Sequence, residues 1–217
     1  MSKLTDQLSQ NLINHRDYPL VKSVEANTWY TGRDLEEDVA ALRDQFAEQK
    51  IGAGDQVLIA LPNSPVFLPL NQALWEIGAV AHPIAAKTPL PELLTEWETY
   101  HYQAVITLPT VGKALEAPLV PWEKVQLHTI SELAILTDAS QLAYRINAPQ
   151  ARPQEDDLAL ILNTSGTTGK PKRVGLTHRM LLNAALHDAK SHALSPDDTA
   201  MVVMPMSVSY THLTLPT

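Results

Sequence analysis

The chain has 217 residues, 45% of them hydrophobic and 18% charged, with no cysteine and a formal net charge of −8. A length and composition of this kind support a globular chain with a sizeable core. They exclude disulfides and thiolate metal sites, and the acidic balance argues against a nucleic-acid partner, whose phosphates it would repel.

Residues 4–16 read as a polar helix, followed by short strands at Leu20–Val24 and Thr28–Thr31 around a turn at Ala26-Asn27. Leu35, Val39, Leu42 and Phe46 recur at helical spacing, so 32–49 is an amphipathic helix, and its early Asp and Glu residues suit the helix dipole. Gly52 and Gly54 end it. Gln56–Leu61 is a short, β-branched apolar run, which predicts a buried strand. Pro62-Asn63-Ser64 then reads as a turn with Ser64 capping an apolar helix over 65–77. The cycle repeats with a strand at Val80–Ala85, a helix at 89–100 and a strand at Ala104–Thr107. Strand and helix alternating over short connections predict βαβ units in a largely parallel sheet flanked by helices.

Prolines at 109, 118, 121, 149 and 153 interrupt the next stretch, which reads as an irregular excursion with one or two short elements, such as Val125–Leu127. Beyond it come a buried strand at Leu158–Leu162, a polar glycine loop, a strand at Arg173–Leu176, a helix over 178–192 and a strand at Ala200–Met204. The start, Met1 to Gln7, lacks the apolar stretch of a signal peptide, and no apolar run is long enough for a transmembrane segment. A cytoplasmic location is the expectation.

Chemistry concentrates in Asn163-Thr-Ser-Gly-Thr-Thr-Gly-Lys-Pro-Lys172, directly after a buried strand. Gly166 and Gly169 let backbone N–H groups approach phosphate oxygens closely, and successive N–H groups can form an anion-binding concavity. Thr164, Ser165, Thr167 and Thr168 add hydroxyls, and lysine adds a point charge. The loop is not a Walker A motif. Its glycines enclose two residues rather than four, and Pro171 follows Lys170, which bars a helix from starting there.

Thr164-Ser-Gly-Thr-Thr-Gly-Lys-Pro-Lys172, with Val174, Leu176, Thr177 and His178 after it, resembles the phosphate-loop signature of the adenylate-forming (AMP-binding) superfamily. Gly54-Asp55, Leu61-Pro-Asn-Ser64 and Gly78-Ala-Val-Ala-His-Pro83 resemble that superfamily's N-terminal region, in the expected order. The resemblance spans about residues 28–207. Thr167-Thr168 leans toward the acyl- and aryl-CoA ligases. One departure is Arg173, where the family usually has glycine; it puts the packing after the loop in question.

The resemblance implies a partial N-terminal α/β domain over 1–207 of an enzyme that activates a carboxylic acid with ATP and Mg2+ and passes the acyl group to coenzyme A. It implies that Thr164, Ser165, Gly166, Thr167, Thr168, Gly169 and Lys172 hold the phosphates. No catalytic residue and no metal ligand is assigned within the chain. The alternatives are an adenylation domain that loads a carrier protein and a non-enzymatic nucleotide- or acyl-binding module. The identity of the acid and the oligomeric state are left open. Residues 208–217 back-translate to a sequence resembling an adapter of transposon-based sequencing libraries. They are therefore expected to be a non-native tail on a gene that continues.

The remaining candidates read as structural. His178 is expected to begin a helix, His82 to be a satisfied core histidine, and His187 and His192 to be solvated. Trp75 and Trp97 are expected in the core, and Asp156-Asp157 as a solvated turn.

Overall fold

The computed structural model describes residues 2–115, 123–137, 147–149, 151–164 and 172–207. The chain opens with α1 (Lys3–Asn14) and an antiparallel pair, β1 (Pro19–Ser23) and β2 (Thr28–Thr31), joined through Asn27 at positive φ. Helix α2 (Gly32–Glu48) begins in a capping box. Thr31 accepts from the Asp34 N–H at 3.3 Å, and the Asp34 carboxylate accepts from the Thr31 N–H at 2.7 Å, so two orphan donors of the first turn are satisfied reciprocally.

Next come β3 (Gln56–Ala60), α3 (Phe67–Glu76), β4 (Val80–Pro83), α4 (Leu90–Tyr100), β5 (Ala104–Thr107) and α5 (Pro109–Leu115). Then follow β6 (Glu123–Val125), β7 (Leu133–Thr137), β8 (Leu158–Thr164), β9 (Lys172–Thr177) and α6 (His178–Ser191).

Seven strands form one sheet in the order β6-β7-β5-β3-β4-β8-β9. The four inner neighbours β5, β3, β4 and β8 run parallel, whereas β6, β7 and β9 pair antiparallel at the two sides. The four strands expected to share a sheet are these inner four. Their residues are buried on both faces in the manner of a helix-covered parallel sheet. On one face Val57, Ile59, Ala81 and Ile106 pack with Leu42 and Phe46 of α2 and Phe67 and Leu70 of α3. On the other face Leu58, Val105 and Leu136 pack with Leu93 and Trp97 of α4 and Leu115 of α5. Successive strand residues point to opposite faces, so each short strand serves both layers.

Two glycine turns meet at the amino ends of β3 and β4. Gly54 and Gly78 both have positive φ, a region that Gly enters without steric cost, and the Gly54 N–H donates to the Gly78 carbonyl at 2.9 Å. Another contact fastens the β6–β7 connection to α2. The buried Asp38 carboxylate accepts from the His128 N–H, the Thr129 N–H and the Thr129 hydroxyl at 2.7, 3.0 and 2.6 Å. The amino end of α1 reaches the far end of the chain, because the Ser2 hydroxyl that caps it meets His178 Nδ1 at 3.0 Å.

Three sequence expectations are corrected. Ser64 does not cap α3, since the helix starts at Phe67 with Val66 as its uncapped N-terminal residue and only the Ser64 carbonyl reaches the Phe67 N–H. The stretch after α5 is less irregular than the prolines suggest, because Leu133–Thr137 is a fully buried strand. Ala200–Met204 is not a strand. A strand needs a neighbour for its backbone groups, and among the described residues nothing pairs with this run; Met201, Val202 and Val203 are exposed.

Candidate functional site

In open α/β sheets, ligands bind beyond the carboxyl ends of the parallel strands. The loop singled out in the sequence leaves the sheet there, at the end of β8, and returns antiparallel as β9. Thr164 and Lys172 face each other as the last paired residues, and the Thr164 hydroxyl donates to the Lys172 carbonyl at 3.2 Å. This bond fastens the base of the loop and engages the Thr164 proton there. Ser165, Gly166, Thr167, Thr168 and Gly169 lie outside the described residues. The Lys172 side chain is exposed. A strand follows the loop rather than a helix, as Pro171 dictates.

The carboxyl end of β3 carries a second feature of this region. Asn63 donates from its amide nitrogen to the Met204 carbonyl at 2.7 Å and accepts from the Met206 N–H at 2.8 Å. One side-chain amide thus holds Met204-Pro-Met206 across the strand ends. Motif reading flagged Asn63 only as part of a turn. The contact spans more than a hundred residues, so local pattern carries no signal for it.

The departure at Arg173 is accommodated on the sheet face covered by α4. Its guanidinium carbon lies 3.8 Å from the centroid of the Tyr100 ring and 5.7 Å from that of Tyr102. Its Nη2 donates to Gln56 Oε1 at 2.8 Å. Beneath it, buried His82 contacts the Tyr102 hydroxyl through Nδ1, and that hydroxyl donates to Glu96 at 2.8 Å. Burial, reinforced by the Arg173 charge, lowers the His82 pKa to about 4, with the Asn163 side chain acting weakly the other way. The imidazole is therefore neutral near pH 7. Burial and then Glu96 push the Tyr102 hydroxyl up.

The other candidates fall where the bland readings put them. His178 starts α6 and is buried beside Trp75, its pKa lowered by that burial. His187 and His192 are exposed. Trp97 is buried, while Trp75 is half-buried and donates to the Ala159 carbonyl at 2.8 Å. Asp156 is exposed and forms a two-point pair with Arg179, which holds its carboxyl below the usual range. Among the described residues no cluster of His, Asp and Glu could hold a metal, and no helix is long and apolar enough to cross a membrane.

A family model described as AMP-binding enzyme matches residues 8–216. The crotonobetaine/carnitine–CoA ligase of Escherichia coli O127:H6 is 31% identical over 194 residues, covering 81% of this chain and 36% of that protein. The sulfoacetate–CoA ligase of Cupriavidus necator is 28% identical over 198 residues, covering 88% and 38%. Among solved structures, the o-succinylbenzoate coenzyme A synthetase of Bacillus subtilis, in complex with ATP and magnesium ion, superposes with a TM-score of 0.67. Its identity is 21%, and the match covers 94% of this chain and 51% of that one, which establishes the shared fold. The chain spans well under half the length of the curated relatives it matches.

Proposed function

This chain belongs to the AMP-binding enzyme family, and from that premise we propose that the whole protein is an acyl-CoA ligase. It joins a carboxylic acid to ATP as an acyl-adenylate, releases pyrophosphate and transfers the acyl group to coenzyme A. The observation that carries this reading is the position of the glycine loop. A segment rich in hydroxyls, glycines and lysines closes at Thr164 and Lys172 beyond the carboxyl ends of parallel strands, within the family match.

The donor set suits a polyphosphate. Backbone N–H groups and hydroxyls of Ser165–Gly169 would hold the phosphate oxygens, with Thr164 fastening the loop's base and Lys172 adding charge. Magnesium, when bound with the nucleotide, supplies further neutralisation of phosphate charge. The protein's part in the first step is to position the two substrates and stabilise charge at the transferring phosphorus; it needs no covalent intermediate of its own. Coenzyme A as acceptor, rather than a carrier protein, follows the two CoA ligases above. A cytoplasmic site of action suits an enzyme that draws on ATP.

Carboxylate-driven pyrophosphate exchange by the full-length enzyme tests this function. A panel of short acids should reveal one that drives exchange. Lys172→Ala, by loss of charge, and Gly166→Ala, by blocking backbone approach, should each lower it about tenfold to a hundredfold. Full exchange in both variants would refute the phosphate role. The 217-residue chain alone is expected to form no thioester.

A further inference from the structure

β9 is the edge strand of the sheet and pairs only with β8. Most of its residues are exposed or half-buried, so its position rests on one ladder and on whatever its side chains grip. Lys172 and Arg173 are consecutive strand residues and therefore point to opposite faces. Arg173 takes the face where α4 lies. It reaches over β8 and β4 to Gln56 on β3, and its flat guanidinium sits on the Tyr100 ring at the end of α4. Tyr100 stands edge-on to Tyr102, with centroids 6.3 Å apart, and Tyr102 is tied to Glu96 one turn back on the same helix. The guanidinium thus grips a rigid, cross-braced platform from the residue that follows Lys172.

We infer that Arg173 is a positioning residue that fastens β9, and with it the Lys172 end of the glycine loop, to the Tyr100–Tyr102 pair of α4. The role rests on the loop being the phosphate site proposed above. A loop anchored at only its β8 end would have to be ordered by the nucleotide, at the expense of affinity. With Arg173 in place, that ordering precedes binding. Planarity matters as much as charge, because a guanidinium stacks on a ring while keeping donors in its own plane for Gln56.

The test uses the full-length enzyme, with steady-state exchange kinetics and amide hydrogen exchange on the same variants. Arg173→Ala and Tyr100→Leu should each raise KM for ATP about tenfold while kcat stays within about twofold, since the lost order is needed equally in ground and transition states. Arg173→Lys should recover part of the effect, and the double variant should be no worse than either single one, because both remove one contact. Amides of β9 should lose protection by a similar factor in each single variant. With an active wild type, an unchanged KM in Arg173→Ala, or fully additive single variants, would overturn the positioning role and leave the ligase reading intact. A wild type that exchanges pyrophosphate with no acid would instead sink the ligase reading and with it the link to ATP. Unchanged β9 protection in Arg173→Ala would show that the tie itself carries no weight.

Discussion

The two halves of the sheet differ in how completely they are covered. Around β5, β3 and β4, helices lie on both faces, and Leu42, Phe46, Leu58 and Ile106 have no exposed surface. From β8 onward the apolar pattern continues but the cover does not. Leu158, Val174, Met180, Leu186 and Leu194 are all exposed, and Val203 is 73% exposed. Isolated exposed apolar residues are ordinary, but a concentration of them in one sequence region marks a surface meant for a partner. The covered half is a finished core. The other half is apolar in sequence and open in structure, and it carries both the glycine loop and the segment held by Asn63.

Substitutions can sharpen or break this contrast. The largest effect belongs to the covered half: Phe46→Ala should cost about 3–5 kcal/mol by removing a ring from a site with no room to collapse. Chemical denaturation measures it, and a loss under 1 kcal/mol would mean that the half is less closed than its burial indicates.

An intermediate effect belongs to His82, at the border between the halves. Its folded pKa of about 4 lies below the ordinary 6.5, so the unfolded chain binds more protons between these values. Stability is full above pH 6.5 and is lost as pH falls toward 4, by up to about 1.4 kcal/mol per pH unit from this group. Buried His178 is shifted in the same direction and adds to the loss. Thermal unfolding followed from pH 7.5 to 4.5 should show a shallower acid dependence in His82→Leu than in the wild type. Equal dependence in both would place the proton uptake elsewhere.

The smallest effect belongs to the open half. Val203→Ser should change the stability of this chain by no more than about 0.5 kcal/mol, as for other exposed substitutions. The same change in the full-length protein should cost more if that surface is covered there. Paired denaturation curves of the two lengths make the comparison.

The sequence disclosed the covered half well, because β3, β4, β5 and β8 are short apolar runs separated by amphipathic helices. It also located the loop, whose residue types are unusual enough to stand out without any fold. Strand β7 was obscured by the prolines on either side of it, although Leu133–Thr137 is itself an apolar run. Ala200–Met204 misleads in the opposite sense: it has strand composition without a strand partner, and composition carries no information about the neighbour. The grips of Arg173, Asn63 and Asp38 depend on residues far apart in the chain. No periodicity announces them, since each is a single polar group finding a distant match.

The bond between Ser2 and His178 joins residues 176 positions apart, and the Lys3 N–H reaches the Glu155 carboxylate at 2.6 Å. Contacts of such high sequence separation raise the contact order, and closing so long a loop delays folding. During synthesis at roughly 5–20 residues per second, α1 emerges from the ribosome many seconds before its partners exist. The first helix to be made is thus among the last to be secured, and until His178 arrives its apolar side is available to chaperones.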